Sequence, residues 1–332
     1  MKAIICTKWG PPGVLKLKEV PKPTPKDNEV LIRIRAATVT AGDCELRSLK
    51  FPPGMKLLAR LGFGFRGPRK KILGQELAGE IVEVGKEVKR FKTGDQVFAH
   101  TGFGMGAYTE YKCMPGDPKG MKGVMAIKPE NMTFEQAACV PFGGLESLHH
   151  LKRGNIKAGQ KVLINGAGGS IGTIGIQIAK SFGASVSAVD STKKLDMLRS
   201  IGCDHVIDYT KEDFTKSGET YDVIFDVVGK GPFSGYMSSL NDQGILLTAN
   251  SVRSKVVREP GKSKTSSKKI IGGNVMHTTE HLIFLKELIE AGKIRSVIDR
   301  SYPLEQVPEA HRYVEAGGKK GNVVINVVDN NK

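Results

Sequence analysis

The chain has 332 residues, more than one hydrophobic core usually serves, so two domains are expected. Apolar residues at 39% and charged residues at 25%, with 40 Gly and 16 Pro, describe a globular, turn-rich chain and exclude a low-complexity one. Fifty Lys plus Arg against 34 Asp plus Glu give +16, which favours anionic partners without choosing among nucleotide phosphates, nucleic acid and an acidic membrane surface.

The opening MKAIICTKWGPPG lacks the unbroken apolar run of a secretory signal. From residue 1 to about 125, β-like runs at 30–36, 79–84 and 96–100 are punctuated by Gly and Pro turns, which reads as a β-rich domain. Within it, RGPRKK at 66–71 reads as solvated loop. From about 126, KVLIN, GTIGIQIAKSFG, SVSAVD, KKLDMLRSIG and HVIDY alternate strand with helix, so βαβ units and a parallel sheet follow. His149 and His150, in the helix-like LESLHHLKR, read as structural or surface residues, and His205 as a loop residue.

Strands four and five fall at 221–228 and 244–249, and a sixth around 270–273. The basic stretch 253–269 carries seven Lys or Arg against Glu259 and lacks the aromatic platform of a nucleic-acid module. A helix at 280–291 stops at Gly292, and NVVINVV rejoins the first domain. The expected division is therefore 1–125, completed by 290–332, and 126–289. No stretch reaches the roughly 18 consecutive apolar residues of a membrane span. Cys6, Cys44, Cys113, Cys139 and Cys203 are scattered without CxxC pairing, which argues against a disulfide framework and fits a reducing cytoplasm.

The chemistry concentrates in KVLINGAGGSIGTIGIQIAK, where a strand ends directly before Gly166 and an amphipathic helix is expected directly after Gly172. A tight turn, close approach to a diphosphate and helix-on-strand packing each need a residue without Cβ, and Gly166, Gly169 and Gly172 fill these roles. The helix N-terminus then faces the diphosphate. The spacing is GxxGxxG, with Gly168 adding a partial GxG, so the βαβ context carries the reading. Asp190, ending the second strand, can accept from ribose hydroxyls and favours NAD, whereas Lys193 and Lys194 can hold the extra phosphate of NADP or simply start a helix. Tyr209, ending the third strand, can hydrogen-bond that phosphate or pack.

These segments, with ATVTAGDCELRS, GQELAGEIVEVGKEVKRFKTGDQVF, TFEQAACVPFGGLESLHHL and AGKIRSVIDRSYPLEQVPEAHRYVEAGGKKGNVVINV, resemble the medium-chain dehydrogenase/reductase superfamily, most closely its zinc-independent quinone oxidoreductase branch. The resemblance implies an α/β chain with a GroES-like β domain, a doubly wound Rossmann domain and an active site in the cleft. In zinc-dependent relatives the ligands are a Cys, the His of a GHE motif and a third Cys or Asp. The matching positions hold Thr40, Gln75 and Phe142, with Cys44 and Glu76 nearby, which implies no metal site.

The resemblance further implies NADPH, because Lys194 and Tyr209 match positions that contact the NADP phosphate and a basic residue near Lys320 assists. Asp190 leaves NADH open. Gly166, Gly169, Ser170, Ile171 and Gly172 would hold the diphosphate, with Gly229 and Asn250 along the nicotinamide channel. The branch usually has Asn where Thr40 stands, and Thr where Glu146 stands beside the nicotinamide.

The implied reaction is hydride transfer to a quinone or an α,β-unsaturated carbonyl, which needs no Lewis acid because the acceptor is already electron-poor. On the substrate side, Thr40 is a candidate donor to the carbonyl. Asp43 is either a pocket residue or a helix cap, and Tyr108 either a proton donor or a packed aromatic. A homodimer is implied by the branch. The competing readings are a zinc-type alcohol dehydrogenase with unusual ligands, and an NADPH-binding redox sensor or RNA-binding protein prompted by the charge.

Overall fold

The computed structural model describes residues 1–51, 53–229, 231–249, 267–273 and 275–327. Asn250 and positions 253–266 of the basic stretch lie outside the described residues. The chain divides into two compact units, one of Met1–Phe142, Thr278–Glu290 and Val297–Lys332, the other of Gly143–His277 and Ala291–Ser296.

The first unit opens with an antiparallel pair, β1 (Lys2–Cys6) and β2 (Leu15–Glu19). Its main sheet is built on β3 (Glu29–Thr38), EVLIRIRAAT, a β-branched run almost wholly buried. Next come α1 (Ala41–Ser48), α2 (Pro53–Phe63), β4 (Glu76–Val84), β5 (Gln96–His100), β6 (Tyr111–Pro115), β7 (Val124–Ile127) and α3 (Phe134–Ala138). After α4 (Pro141–Arg153) the second unit runs β8 (Lys161–Asn165), α5 (Ser170–Ser181), β9 (Ser185–Asp190), α6 (Leu195–Ser200), β10 (His205–Asp208), β11 (Tyr221–Asp226), α7 (Phe233–Ser238), β12 (Leu240–Thr248) and β13 (Lys269–Ile271). The chain then returns to the first unit through α8 (Thr279–Glu290), β14 (Ile298–Pro303), α9 (Val307–Glu315) and β15 (Asn322–Asn326).

The first unit's sheet has the order β14, β15, β3, β4, β5, β7, with β6 also on β3. Its core joins Ile32, Ile34, Leu77, Ile81, Val97, Met125, Val323 and Ile325. The division expected at residue 125 falls inside this unit. There β7 pairs with β5, and the helix started by the Thr133–Gln136 capping box covers β3 and β4 instead of opening a βαβ unit. The helix α8 also belongs here, since Asn131 Nδ2 donates to the Ile289 carbonyl at 2.9 Å and the Glu130 amide to Glu290 at 3.1 Å.

The second unit's sheet has the order β10, β9, β8, β11, β12, β13, every neighbouring pair parallel. Counted along the chain this is 3-2-1-4-5-6, the doubly wound dinucleotide-binding order, which reverses direction between β8 and β11. At that reversal Asn165 pairs in register with Asp226, both at carboxyl ends of their strands. His205 opens β10 and is not a loop residue, because its segment pairs with β9 from Ser187 onward.

Candidate functional site

The turn after β8 is built from four glycines with distinct constraints. Gly166 has φ +83°, and a Cβ there would meet Val228 at 2.4 Å. A Cβ on Gly172 would lie 2.5 Å from the Ala167 backbone, so this glycine lets α5 approach the turn. Gly169, the N-cap of α5, has nothing within 4 Å of a built Cβ, so its free face opens to solvent at the helix N-terminus. Ser170 is nearly buried and Ile171 partly so, directly after it. This bare-backbone cradle at a helix N-terminus fits a dinucleotide diphosphate.

Gly168 ties the turn to the end of β9. Its amide donates to Asp190 Oδ2 at 2.7 Å, and a Cβ there would strike Lys194 at 2.4 Å and Asp190 at 2.8 Å. Asp190 Oδ1 accepts the Ser191 amide at 2.8 Å and pairs with Lys194 Nζ at 3.1 Å. Both carboxylate oxygens are thus engaged within the protein, and the two side chains are only 8% and 13% exposed. Asp190, expected to face ribose hydroxyls, here clamps the glycine turn and neutralises the lysine expected to meet a phosphate. Beside them, the Tyr209 amide donates to the Asp190 carbonyl at 3.2 Å and its ring is exposed.

At the sheet's reversal, Asp226 shapes the second lip. It accepts the Val228 and Gly229 amides at 3.1 Å and the Asn165 amide at 3.1 Å, and Gly229 has φ +72°. Burial pushes the Asp226 carboxyl up, against the hydrogen bond from Gly229. Lys320 lies in the first unit, exposed, with its amide on Asp299 at 3.0 Å.

The second unit holds one pair that the sequence reading missed. His277 Nε2 lies 3.2 Å from Glu146 Oε1, with both side chains near one-eighth exposed. Glu146 sits on α4, which is fastened to the start of α5: Ser147 Oγ donates to the Ile171 carbonyl at 2.7 Å, and Gly143 leaves no room for a Cβ against the Ser170 carbonyl. His277 follows β13 on the carboxyl side of the sheet. Glu146 also approaches His150 Nε2, four residues on, at 3.9 Å. His150 itself is buried against Phe225, and burial pushes it down to about 4.

In the first unit, Thr40 caps α1. Its hydroxyl donates to Asp43 Oδ2 at 2.7 Å and accepts the Asp43 amide at 3.1 Å, while Asp43 Oδ2 accepts the Thr40 amide at 2.9 Å. Asp43 is therefore the reciprocal half of a capping box, and burial pushes it up to about 6 despite Thr40. The Thr40 hydroxyl thus donates to Asp43. Tyr108 is fully buried and its hydroxyl donates to the Thr38 carbonyl at 3.2 Å. Burial, followed by the charge on Asp43, pushes that phenol well up.

Glu76 is also fully buried, accepting from the Thr38 hydroxyl and from the Phe142 amide at 2.7 Å. Burial pushes it up to about 7, against those two donors. Cys44 approaches His311 Nδ1 at 3.3 Å, and desolvation raises its thiol above the ordinary range. Thr40, Gln75 and Phe142 supply no zinc donor set. Among the described residues no three His, Cys, Asp or Glu side chains form a group able to hold a metal ion. No helix among them is long and apolar enough to cross a membrane.

Comparison with known proteins places this architecture. Residues 26–143 match the alcohol dehydrogenase GroES-like domain family, and residues 201–325 the zinc-binding dehydrogenase family. The chain is 32% identical over 340 residues to 2-methylene-furan-3-one reductase of Solanum lycopersicum, covering 99% of this chain and 79% of that protein. It is 32% identical over 342 residues to the chloroplastic NADPH-dependent alkenal/one oxidoreductase of Arabidopsis thaliana, covering 98% and 79%. The solved quinone oxidoreductase of Coxiella burnetii superposes with a TM-score of 0.83 at 29% identity, over 99% of each chain. This chain belongs to the quinone oxidoreductase branch of the medium-chain dehydrogenase/reductase superfamily.

Proposed function

We propose that the protein is an NADPH-dependent oxidoreductase that reduces a quinone or an α,β-unsaturated carbonyl without zinc. The observation that carries the reading is the glycine cradle joined to the Asp190–Lys194 pair at the carboxyl edge of a 3-2-1-4-5-6 sheet. The names of the relatives, an alkenal/one oxidoreductase and a furanone reductase, support an electron-poor carbonyl acceptor.

In this reading Gly166, Gly169, Ser170, Ile171 and Gly172 hold the diphosphate against the α5 N-terminus. The Gly229 turn, held by Asp226, borders the nicotinamide. Lys194 and the exposed Tyr209 ring receive the adenosine phosphate, with Asp190 turned inward and its charge compensated. The bound nicotinamide supplies a hydride to the acceptor. His277, held by Glu146, donates the proton that balances the reduction. The protein forms a homodimer as its family does, and a reducing compartment is supported by the five free cysteines.

The test is oxidation of NADPH and NADH by the pure protein against quinones, alkenals and simple alcohols, with metal analysis of the same sample. The reading expects turnover with the first two classes, preference for NADPH and no stoichiometric zinc. Turnover confined to alcohols, with bound zinc, overturns it.

A further inference from the structure

From Leu46 to Gln75 the chain carries eight Lys or Arg and no Asp or Glu. Arg47 is buried and paired with Glu315. None of the other seven, from Lys50 to Lys71, forms an ion pair among the described residues. The same stretch leaves Leu57, Leu58, Leu61 and Phe65 between 57% and 66% exposed. Spacings of one and four put the three leucines on one side of α2. Phe63, near the end of that helix, packs against the core and lies 5.7 Å from the Phe103 ring, so α2 is fastened from within while its leucines stay in water.

Two cavities of the first unit share lining residues, and the first reaches the end of α2 at Gly62 and Phe63. One of about 340 Å³ is lined by Trp9, Phe63, Phe103 and Met105, and another of about 520 Å³ by Lys71 and Lys112; Arg69 and Lys70 line both. Burial, together with the Lys70 charge, pushes the Lys112 ammonium down to about 8, a repulsion that a bound anion would relieve.

We propose that this face docks on an anionic phospholipid bilayer, the leucines entering the acyl boundary and the cations meeting headgroup phosphates. The charge is complementary to such a surface, and the exposed leucines select a bilayer over RNA, whose phosphates would satisfy the cations yet leave the leucines in water. If the reductase reading holds, an apolar acceptor dissolved in the bilayer would reach the protein there.

The test sediments the full-length protein with vesicles of phosphatidylcholine, or of phosphatidylcholine mixed with phosphatidylglycerol. Binding to the mixed vesicles only is expected, weakening at least about tenfold as salt rises from about 0.05 M to about 0.5 M. The triple change Leu57→Ser, Leu58→Ser, Leu61→Ser and the pair Arg69→Glu, Lys70→Glu should each lower vesicle affinity by about tenfold or more, with folding checked by circular dichroism.

Equal binding to both vesicle types, or none, overturns the proposal. So does displacement by RNA of a leucine variant that still binds like wild type, or loss of a dimer in sedimentation as the only effect of that variant. The readout involves no turnover, so its failure is distinct from failure of the reductase reading.

Discussion

Lys194 Nζ lies 3.1 Å from Asp190 Oδ1, so the base suited to a phosphate and the acid suited to ribose hydroxyls hold each other. The pair explains how an acidic strand end is compatible with NADPH. Its carboxylate is spent on the lysine and on the Gly168 and Ser191 amides. Lys194→Ala leaves that carboxylate uncompensated beside the phosphate position. The variant should raise the KM for NADPH about tenfold or more, about 1.4 kcal/mol, and change the KM for NADH far less. Equal losses for both cofactors would remove Lys194 from phosphate recognition.

Two glycines separate folding from binding. Gly169 has ordinary extended φ and open space at its Cβ position, so Gly169→Ala should leave the melting temperature within about 2 °C, a few tenths of a kcal/mol, yet weaken NADPH binding. Gly172→Ala drives a methyl into the Ala167 backbone and should cost roughly 1–3 kcal/mol of stability. Thermal melts with and without NADPH read both outcomes. A Gly169→Ala protein that binds NADPH normally would contradict the placement of the diphosphate.

Glu76 gives a stability signature. Burial pushes its carboxyl from the ordinary 4.5 up to about 7, so the folded state holds the proton more tightly. Stability from this group is full below about pH 4.5 and is lost as pH rises through about 7. Glu76→Gln keeps an acceptor for the Phe142 amide without the titration. It should therefore gain on wild type between about pH 5 and about pH 8, by up to roughly 3 kcal/mol. Parallel melting curves across that range would refute this.

The proposed proton source is tested by His277→Ala. A loss of kcat of about 100-fold is expected, with KM for NADPH little changed and part of the rate restored by added imidazole. Glu146→Gln should give a smaller loss, since it only orients the ring. Full activity in His277→Ala would assign the proton to solvent.

Most of the second unit was legible because its strands are short apolar runs closed by turn residues and alternate with helices, which points to a parallel sheet, whereas the 3-2-1-4-5-6 order is seen only in the structure. The domain boundary was not, because the Thr133 capping box starts a helix whether that helix serves a parallel sheet or covers an antiparallel one. Asp43 was read with the helix cap left open, and the capping box itself becomes visible only in its three mutual hydrogen bonds with Thr40. The Glu146–His277 pair spans 131 residues, a separation over which no local pattern operates. Exposure of the α2 leucines was likewise hidden, since an amphipathic pattern states which residues share a face and not what covers it.

The central claim is hydride delivery to an electron-poor acceptor, and isotope transfer tests it most directly. NADPH carrying deuterium at the transferable position is incubated with the protein and an alkenal, and the product is analysed by mass spectrometry and NMR. The account predicts a saturated aldehyde with one deuterium at the former β-carbon. Deuterium at the carbonyl carbon, giving an alcohol, or no NADPH oxidation with either alkenals or quinones, would contradict it.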